Sequence, residues 1–192
     1  MVEIIPAILA DSELDLLRKA ESVPSAPMLH IDVLENDVWT DLGRNFEVHL
    51  MVENPEEIIE RWLERGARRI VVHRINEKIL SYRAEAEIGL AIEFSKRLDL
   101  VSEEASKVDF VNMMSIKDIG AQGRPFESKI FDRINELRRK LPEVIIAVDG
   151  GVNLENADDL IYEGVDRLIV GSSIFRDVRP DYAYKQFLNL TL

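Results

Sequence analysis

Val144-Ile145-Ile146-Ala147-Val148-Asp149-Gly150-Gly151 carries five consecutive apolar residues, most of them β-branched, and then an acid and two glycines. A strand without polar alternation is covered on both faces, the condition of a parallel sheet wrapped by helices. Seven further short apolar runs recur along the chain, several of them also β-branched and nearly unbroken: Glu3 to Leu9, Met28 to Leu34, Phe46 to Val52, Arg69 to His73, Ile88 to Glu93, Asp109 to Met114 and Arg167 to Gly171. Amphipathic stretches separate them. Asp11 to Val23 has Ser12 as a cap candidate, Asn54 to Arg65 opens with Asn54-Pro55-Glu56-Glu57, and Phe126 to Lys140 ends in Arg138-Arg139-Lys140. Asn153 to Glu163 and Pro180 to Leu190 also read as helices, and Asn76 to Ala86 and Ser95 to Lys107 read so more faintly.

Eight strands alternating with helices predict one α/β domain over residues 1–192, a (β/α)8 TIM barrel. Such barrels usually take about 250 residues, so this one is compact. The shortage falls between the second and third runs. Glu35 to Asn45 is close to the roughly 10–12 residues a crossover needs in total. The second helix is therefore expected to be a single turn or missing.

Asp and Glu number 36 against 24 Lys and Arg, a net charge of −12, which argues against nucleic-acid and anionic-membrane partners. The sequence has no cysteine, no apolar run of membrane-spanning length and no secretory leader pattern, so a cytoplasmic setting is expected.

All three histidines, His30, His49 and His73, fall at or near the ends of apolar runs. In an α/β barrel the C-terminal strand ends converge on the active site. His30 and Asp32 are two apart and share one face of a strand, while Leu29, Ile31 and Val33 face the helices. His49 stands between Val48 and Leu50, and Asp149 closes the seventh run. Two imidazoles and two carboxylates at one barrel mouth suit one divalent metal ion, zinc, iron, manganese or cobalt, with a position left for a substrate oxygen. Glycines follow the last three strands: Gly120 and Gly123, Gly150 and Gly151, and Gly171 beside Ser172. Their backbone amides can approach an anion closely, so a phosphate grip is expected there.

These residues resemble the ribulose-phosphate 3-epimerase family. The matching stretches are Pro6-Ala7-Ile8-Leu9-Ala10-Asp11, His30-Ile31-Asp32-Val33, Val48-His49-Leu50-Met51-Val52-Glu53-Asn54-Pro55, Met114-Ser115-Ile116, Val148-Asp149-Gly150-Gly151-Val152 and Gly171-Ser172-Ser173-Ile174-Phe175. They keep the family's order. The resemblance implies a metal held by His30, Asp32, His49 and Asp149, with Met51 and Met114 nearby. It implies that Asp32 and Asp149 exchange protons with C3 of a ketose phosphate through an enediolate, interconverting D-ribulose 5-phosphate and D-xylulose 5-phosphate. It also implies phosphate binding by the glycine loops and Ser172, and a homo-oligomer, a dimer or larger.

The chain departs from the family where substrate would be enclosed. Ala7 replaces a serine, Leu34-Glu35-Asn36 replaces M-D-G and its long loop, and Asp118-Ile119-Gly120-Ala121-Gln122-Gly123 replaces P-G-F-G-G-Q. A connection this short is expected to leave the pocket open on that side. The departures also suit an alternative, a diverged member that binds a metal or sugar phosphate without turnover. A third reading, the decarboxylase and hexulose-phosphate synthase group, needs D-x-K-x-x-D. Here Asp32 and Asp37 have that spacing, but Leu34 occupies the lysine position.

Overall fold

The computed structural model describes residues 1–191. Eight parallel strands pair in sequence order and close on themselves: β1 (Glu3–Leu9), β2 (Met28–Val33), β3 (Asn45–Leu50), β4 (Arg69–Val72), β5 (Glu87–Ile92), β6 (Phe110–Met114), β7 (Ile145–Asp149) and β8 (Arg167–Val170). Each strand matches one of the expected runs to within a residue or two at its ends. The strand period of two divides their side chains between two cores. Leu29, Ile31, Val33, Val48 and Leu50 belong to the larger core under the helices. Ile5, Ala7, Val71, Ala91, Phe110, Ala147 and Ile169 fill the barrel interior. Small residues are needed there, because the Phe110 ring occupies the space a β-carbon on Gly89 would enter.

The surrounding helices are α1 (Glu13–Glu21), α2 (Ile59–Glu64), α3 (Glu77–Ser81), α4 (Leu98–Ala105), α5 (Ile130–Lys140), α6 (Leu154–Tyr162), α7 (Ser172–Phe175) and α8 (Pro180–Asn189). Ser12 caps α1 by accepting from Asp15 N, and Asn153 and Asn156 form a reciprocal capping box on α6. Several helices differ from the periodicity reading: Asn76 to Ala86 divides into α3 and a 3₁₀ turn at Tyr82–Ala84, and Ser95 to Lys107 is helical only over α4. The Asn54 to Arg65 stretch is a 3₁₀ turn, Pro55–Glu57, separated from α2 by Ile58 at φ −121°. α5 begins at Ile130 rather than Phe126, because Glu127 N is drawn back to Ser115 O at 2.8 Å. The four-residue α7 was not expected; its apolar content is too short to show a helical period.

No helix joins β2 to β3. Residues 34–44 instead lay Val38, Trp39 and Leu42 against the outer core. The Trp39 ring lies 4.9 Å from Phe46 and 5.4 Å from Trp62, and the Arg65 guanidinium sits 4.5 Å from the Trp62 ring while pairing with Asp37 at 2.6 Å. Two aromatic rings and a stacked cation thus cover the sheet where a helix would otherwise lie. Arg44 secures the preceding turn by donating to the carbonyls of Ala20, Val23 and Ala26. No helix among the described residues is long and apolar enough to cross a membrane.

Candidate active site

β2 carries His30 and Asp32 into the barrel, and the β2–β3 register sets Asp32 beside His49. From the opposite wall, β7 brings Asp149 beside Met114 of β6. One ligand atom from each of His30, Asp32, His49 and Asp149 lies within 4.8 Å of all the others. His30 Nε2 is 3.3 Å from Asp32 Oδ1 and 3.9 Å from Asp149 Oδ2; His49 Nδ1 is 3.6 and 3.5 Å from the same two oxygens.

Both histidines are fully buried, and neither His30 Nε2 nor His49 Nδ1 has a hydrogen-bond partner. Two buried nitrogens facing two carboxylates without a bond is the arrangement a divalent cation satisfies, and the N₂O₂ donor set suits zinc, iron, manganese or cobalt. The outer ring nitrogens are engaged. Glu47 Oε1 lies 2.6 Å from His30 Nδ1, so that nitrogen donates to the carboxylate, and Nε2 is the atom left to bind a metal once the ring is neutral. His49 Nε2 meets His73 Nε2 at 2.9 Å.

Electrostatics follow from this enclosure. Burial opposes charge on His30, but the Asp32 and Glu47 carboxylates override it and hold the imidazole well above its ordinary pKa. For His49 burial is likewise outweighed, by Asp149 and Asp32. Burial would raise Asp32, yet its two histidine neighbours pull it below the usual carboxylate range. His73 has only the Glu93 carboxylate nearby among the described residues, 3.5 Å from its Nδ1. Desolvation, then the neighbouring His49 and Lys96, push it down to about 3, so it is a neutral ring.

Above the four side chains a cavity opens toward solvent. Asp32, His49 and Asp149 line its base and Met51 and Met114 its sides, while His30 lies beneath and does not reach the cavity surface. Gly120, Gly123, Gly150, Gly151, Gly171 and Ser172 line the opposite side. Gly150 and Gly151 have φ of +109° and +65°, where other residues are strained, and a β-carbon on Gly151 would stand 2.9 Å from the Phe126 backbone. The glycine loops are therefore brought together, with their backbones exposed to the same space.

The loop between β6 and α5 alters one expectation. It reaches across the mouth, where Gln122 Nε2 donates to Ala7 O at 2.8 Å and Gly120 comes up against Leu34. The short connection after β2 therefore does not leave that side open, because the β6 loop closes over it. Asp37 takes no part in the cavity; it is turned outward to Arg65 and Arg61. A D-x-K-x-x-D site is thus lost both in its lysine and in its second aspartate.

Several contributors escaped the sequence reading. Asn112 Nδ2 donates to Asp149 Oδ2 at 3.3 Å, and Ser115 Oγ donates to Asp149 O at 3.0 Å. Glu47 left a readable signal: it lies two residues before His49, on the inward face of a buried strand, where an unpaired acid is costly. Asn112 offered the same clue on β6. Gln122 offered none, since it sits in a loop.

An eight-stranded α/β barrel with a two-histidine, two-aspartate centre at its C-terminal mouth, faced by glycine loops, defines a class of barrel whose mouth can hold a divalent metal ion beside an open cavity. Sequence comparison narrows the class. The family model described as the ribulose-phosphate 3 epimerase family matches residues 3–175, and the chain belongs to that family. Ribulose-phosphate 3-epimerase of Aquifex aeolicus is 28% identical over 174 residues, covering 78% of each chain. The enzyme of the same name from Helicobacter pylori is 27% identical over 198 residues, covering 91% of each. Among solved structures, orotidine 5'-phosphate decarboxylase from Pyrococcus horikoshii superposes with a TM-score of 0.73 at 20% identity, over 97% of this chain and 98% of that one. 3-Hexulose-6-phosphate synthase from Salmonella typhimurium gives 0.74 at 16% identity over 98% of each. At such identities these likenesses concern the fold.

Proposed function

We propose that the protein is a metal-dependent isomerase that inverts C3 of a ketose phosphate, with D-ribulose 5-phosphate and D-xylulose 5-phosphate as the first pair to examine. The observation that carries this reading is the pair of carboxylates, Asp32 and Asp149, which approach one centre from opposite walls of the barrel and share the same two histidine neighbours. Membership of the epimerase family supports it.

The C3 proton is acidic because it lies next to the C2 carbonyl. One aspartate removes it, the electron pair moves onto the carbonyl oxygen to give an enediolate, and the other aspartate, as the acid, delivers a proton to the opposite face. Inversion needs a group on each side. After one turnover the proton states of the two carboxyl groups are exchanged, which sets them for the reverse reaction; a second turnover in the same direction needs the first aspartate to lose its proton to solvent and the second to regain one. A divalent ion held by His30, Asp32, His49 and Asp149 would supply electrostatic stabilisation of the developing oxyanion. His30 and His49 are placed to orient that centre. Asn112 restrains Asp149 by hydrogen bonding one of its oxygens. The phosphate of the substrate would lie against Gly120, Gly123, Gly150, Gly151, Gly171 and Ser172, whose backbone amides can face it at close range. Met51, Met114 and the β6 loop limit water at the reacting carbon.

The test combines elemental analysis of protein purified without chelator with solvent deuterium entry at C3. The expected result is a bound divalent metal and exchange at C3 alone. Metal-loaded protein that exchanges no deuterium into any pentulose or hexulose phosphate would overturn the catalytic reading and leave a binding role.

A further inference from the structure

We infer that Glu47 and Arg69 form an internal strut that positions His30 for metal binding by tying it to the floor of the barrel. The inference rests on the reading of His30 as a metal ligand and adds two residues that the metal centre does not itself contain.

Glu47 is 1% exposed and is the register partner of His30 across the β2–β3 ladder. Its two oxygens are committed in opposite directions. Oε1 accepts from His30 Nδ1 at 2.6 Å, and Oε2 accepts from Arg69 Nη1 at 3.2 Å. Arg69 is itself fixed from below, by Glu3 at 3.0 Å and Glu87 at 3.4 Å. Arg167 closes the group through Glu87 at 2.9 Å and Glu3 at 3.4 Å, with its guanidinium 4.7 Å from the Phe110 ring.

A carboxylate held at both ends cannot rotate away from the imidazole it supports. That constraint does two things to His30: it selects the tautomer with the proton on Nδ1, and it fixes the ring plane so that the Nε2 lone pair faces Asp32 and Asp149. Support of this kind also makes the imidazole a better donor to a metal. The second histidine lacks a carboxylate directly at its outer nitrogen: His49 Nε2 meets His73 Nε2 at 2.9 Å, and Glu93 Oε1 lies one ring further out, 3.5 Å from His73 Nδ1. The two ligand histidines are therefore held unequally, and the charged support is spent on the one that never reaches the cavity surface.

Glu47→Gln keeps the shape of the side chain and removes its charge. Cobalt(II) serves as the probe, added to metal-free protein against a competing chelator, with the visible d–d spectrum recorded and thermal unfolding of the metal-free forms run alongside. The expected result is a folded variant that binds cobalt(II) about 10–100-fold more weakly than wild type, with a shifted d–d band. Arg69→Met is the second variant. It leaves the Glu47–His30 bond but releases its lower end, and a smaller loss of affinity is expected. Wild-type cobalt affinity and spectrum in a folded Glu47→Gln protein overturn the strut, and if that variant fails to fold, unchanged affinity and spectrum in Arg69→Met do so. Failure of the wild-type protein to bind cobalt(II), zinc(II) or manganese(II) overturns the reading of the centre itself, a result distinct from the loss of the strut alone.

Discussion

The two ends of the barrel interior are both crowded with charge, and they are built on opposite rules. At the floor, Glu3, Glu47 and Glu87 each have a guanidinium of Arg69 or Arg167 within 3.4 Å, so acids and bases face one another in pairs. At the mouth, Asp32 and Asp149 face His30 and His49, and the two nitrogens turned toward the carboxylates make no hydrogen bond. Opposite charges in direct contact hold a scaffold together, even though Arg167 Nη1 is left without a partner there. Lone pairs that converge with nothing between them mark a place for a ligand. Between the two ends lies an apolar layer with Phe110 and Ile5 in it, and Glu47 connects Arg69 below to His30 above.

If the mouth is the working end, Asp149→Asn should lower turnover by about 10²–10⁴-fold, the usual worth of a positioned acid or base, while the melting temperature of its metal-free form stays near that of the metal-free wild type. Turnover and thermal unfolding measured on the same preparation check this, and undiminished turnover would remove Asp149 from the chemistry. Chelation should act at the same end. It is expected to abolish activity and to lower Tm, with readdition of metal at about 100 times its Kd restoring about 2.7 kcal/mol of stability. A Tm indifferent to both chelator and metal would count against a cation at this end.

The apolar layer between the two ends gives a different signature. Gly89→Ala places a methyl group inside the space of the Phe110 ring, and overpacking of this kind costs about 1–3 kcal/mol. Urea unfolding reads the loss, and an unchanged midpoint would show that the layer has slack. The smallest effect is expected at the floor. The Glu87 side chain is about half exposed, and Arg69 and Arg167 both retain Glu3, so Glu87→Gln should cost less than about 1 kcal/mol and leave metal content unaltered. A lowered metal content in that variant would show that the floor reaches the centre by more than the Glu47 connection.

Much of the candidate site was visible in the chain because a strand places alternate residues on one face. His30 with Asp32, His49 and Asp149 all stand at the ends of apolar runs, and that position alone sends them to the mouth of a barrel. Leu29, Ile31 and Val33 were assigned to the helix side on the same ground. Glu47 obeys the same rule and was still overlooked, since the period says that it faces inward but not that His30 is opposite; the partner depends on the register between two strands. The start of α5 was misjudged because the periodicity of Phe126 to Lys140 cannot register the bond that draws Glu127 N back to Ser115. The closing of the mouth was misjudged for a related reason. Loss of length after β2 was plain, but the compensation comes from residues 117–124, far along the chain, through Gln122 at Ala7 and Gly120 at Leu34.

Local properties of the chain were enough to set the number of strands, their inward and outward faces, the missing helix and the donor types at the mouth. Each of these depends on side-chain polarity and spacing within a few residues. Closure of the ring, the meeting of β2 and β3 with β7 at one centre, the Glu47 support beneath His30 and the crossing of the β6 loop arose from contacts between segments remote in sequence. Such contacts are chosen by burial and hydrogen-bond satisfaction over the whole barrel at once, and no single segment contains them.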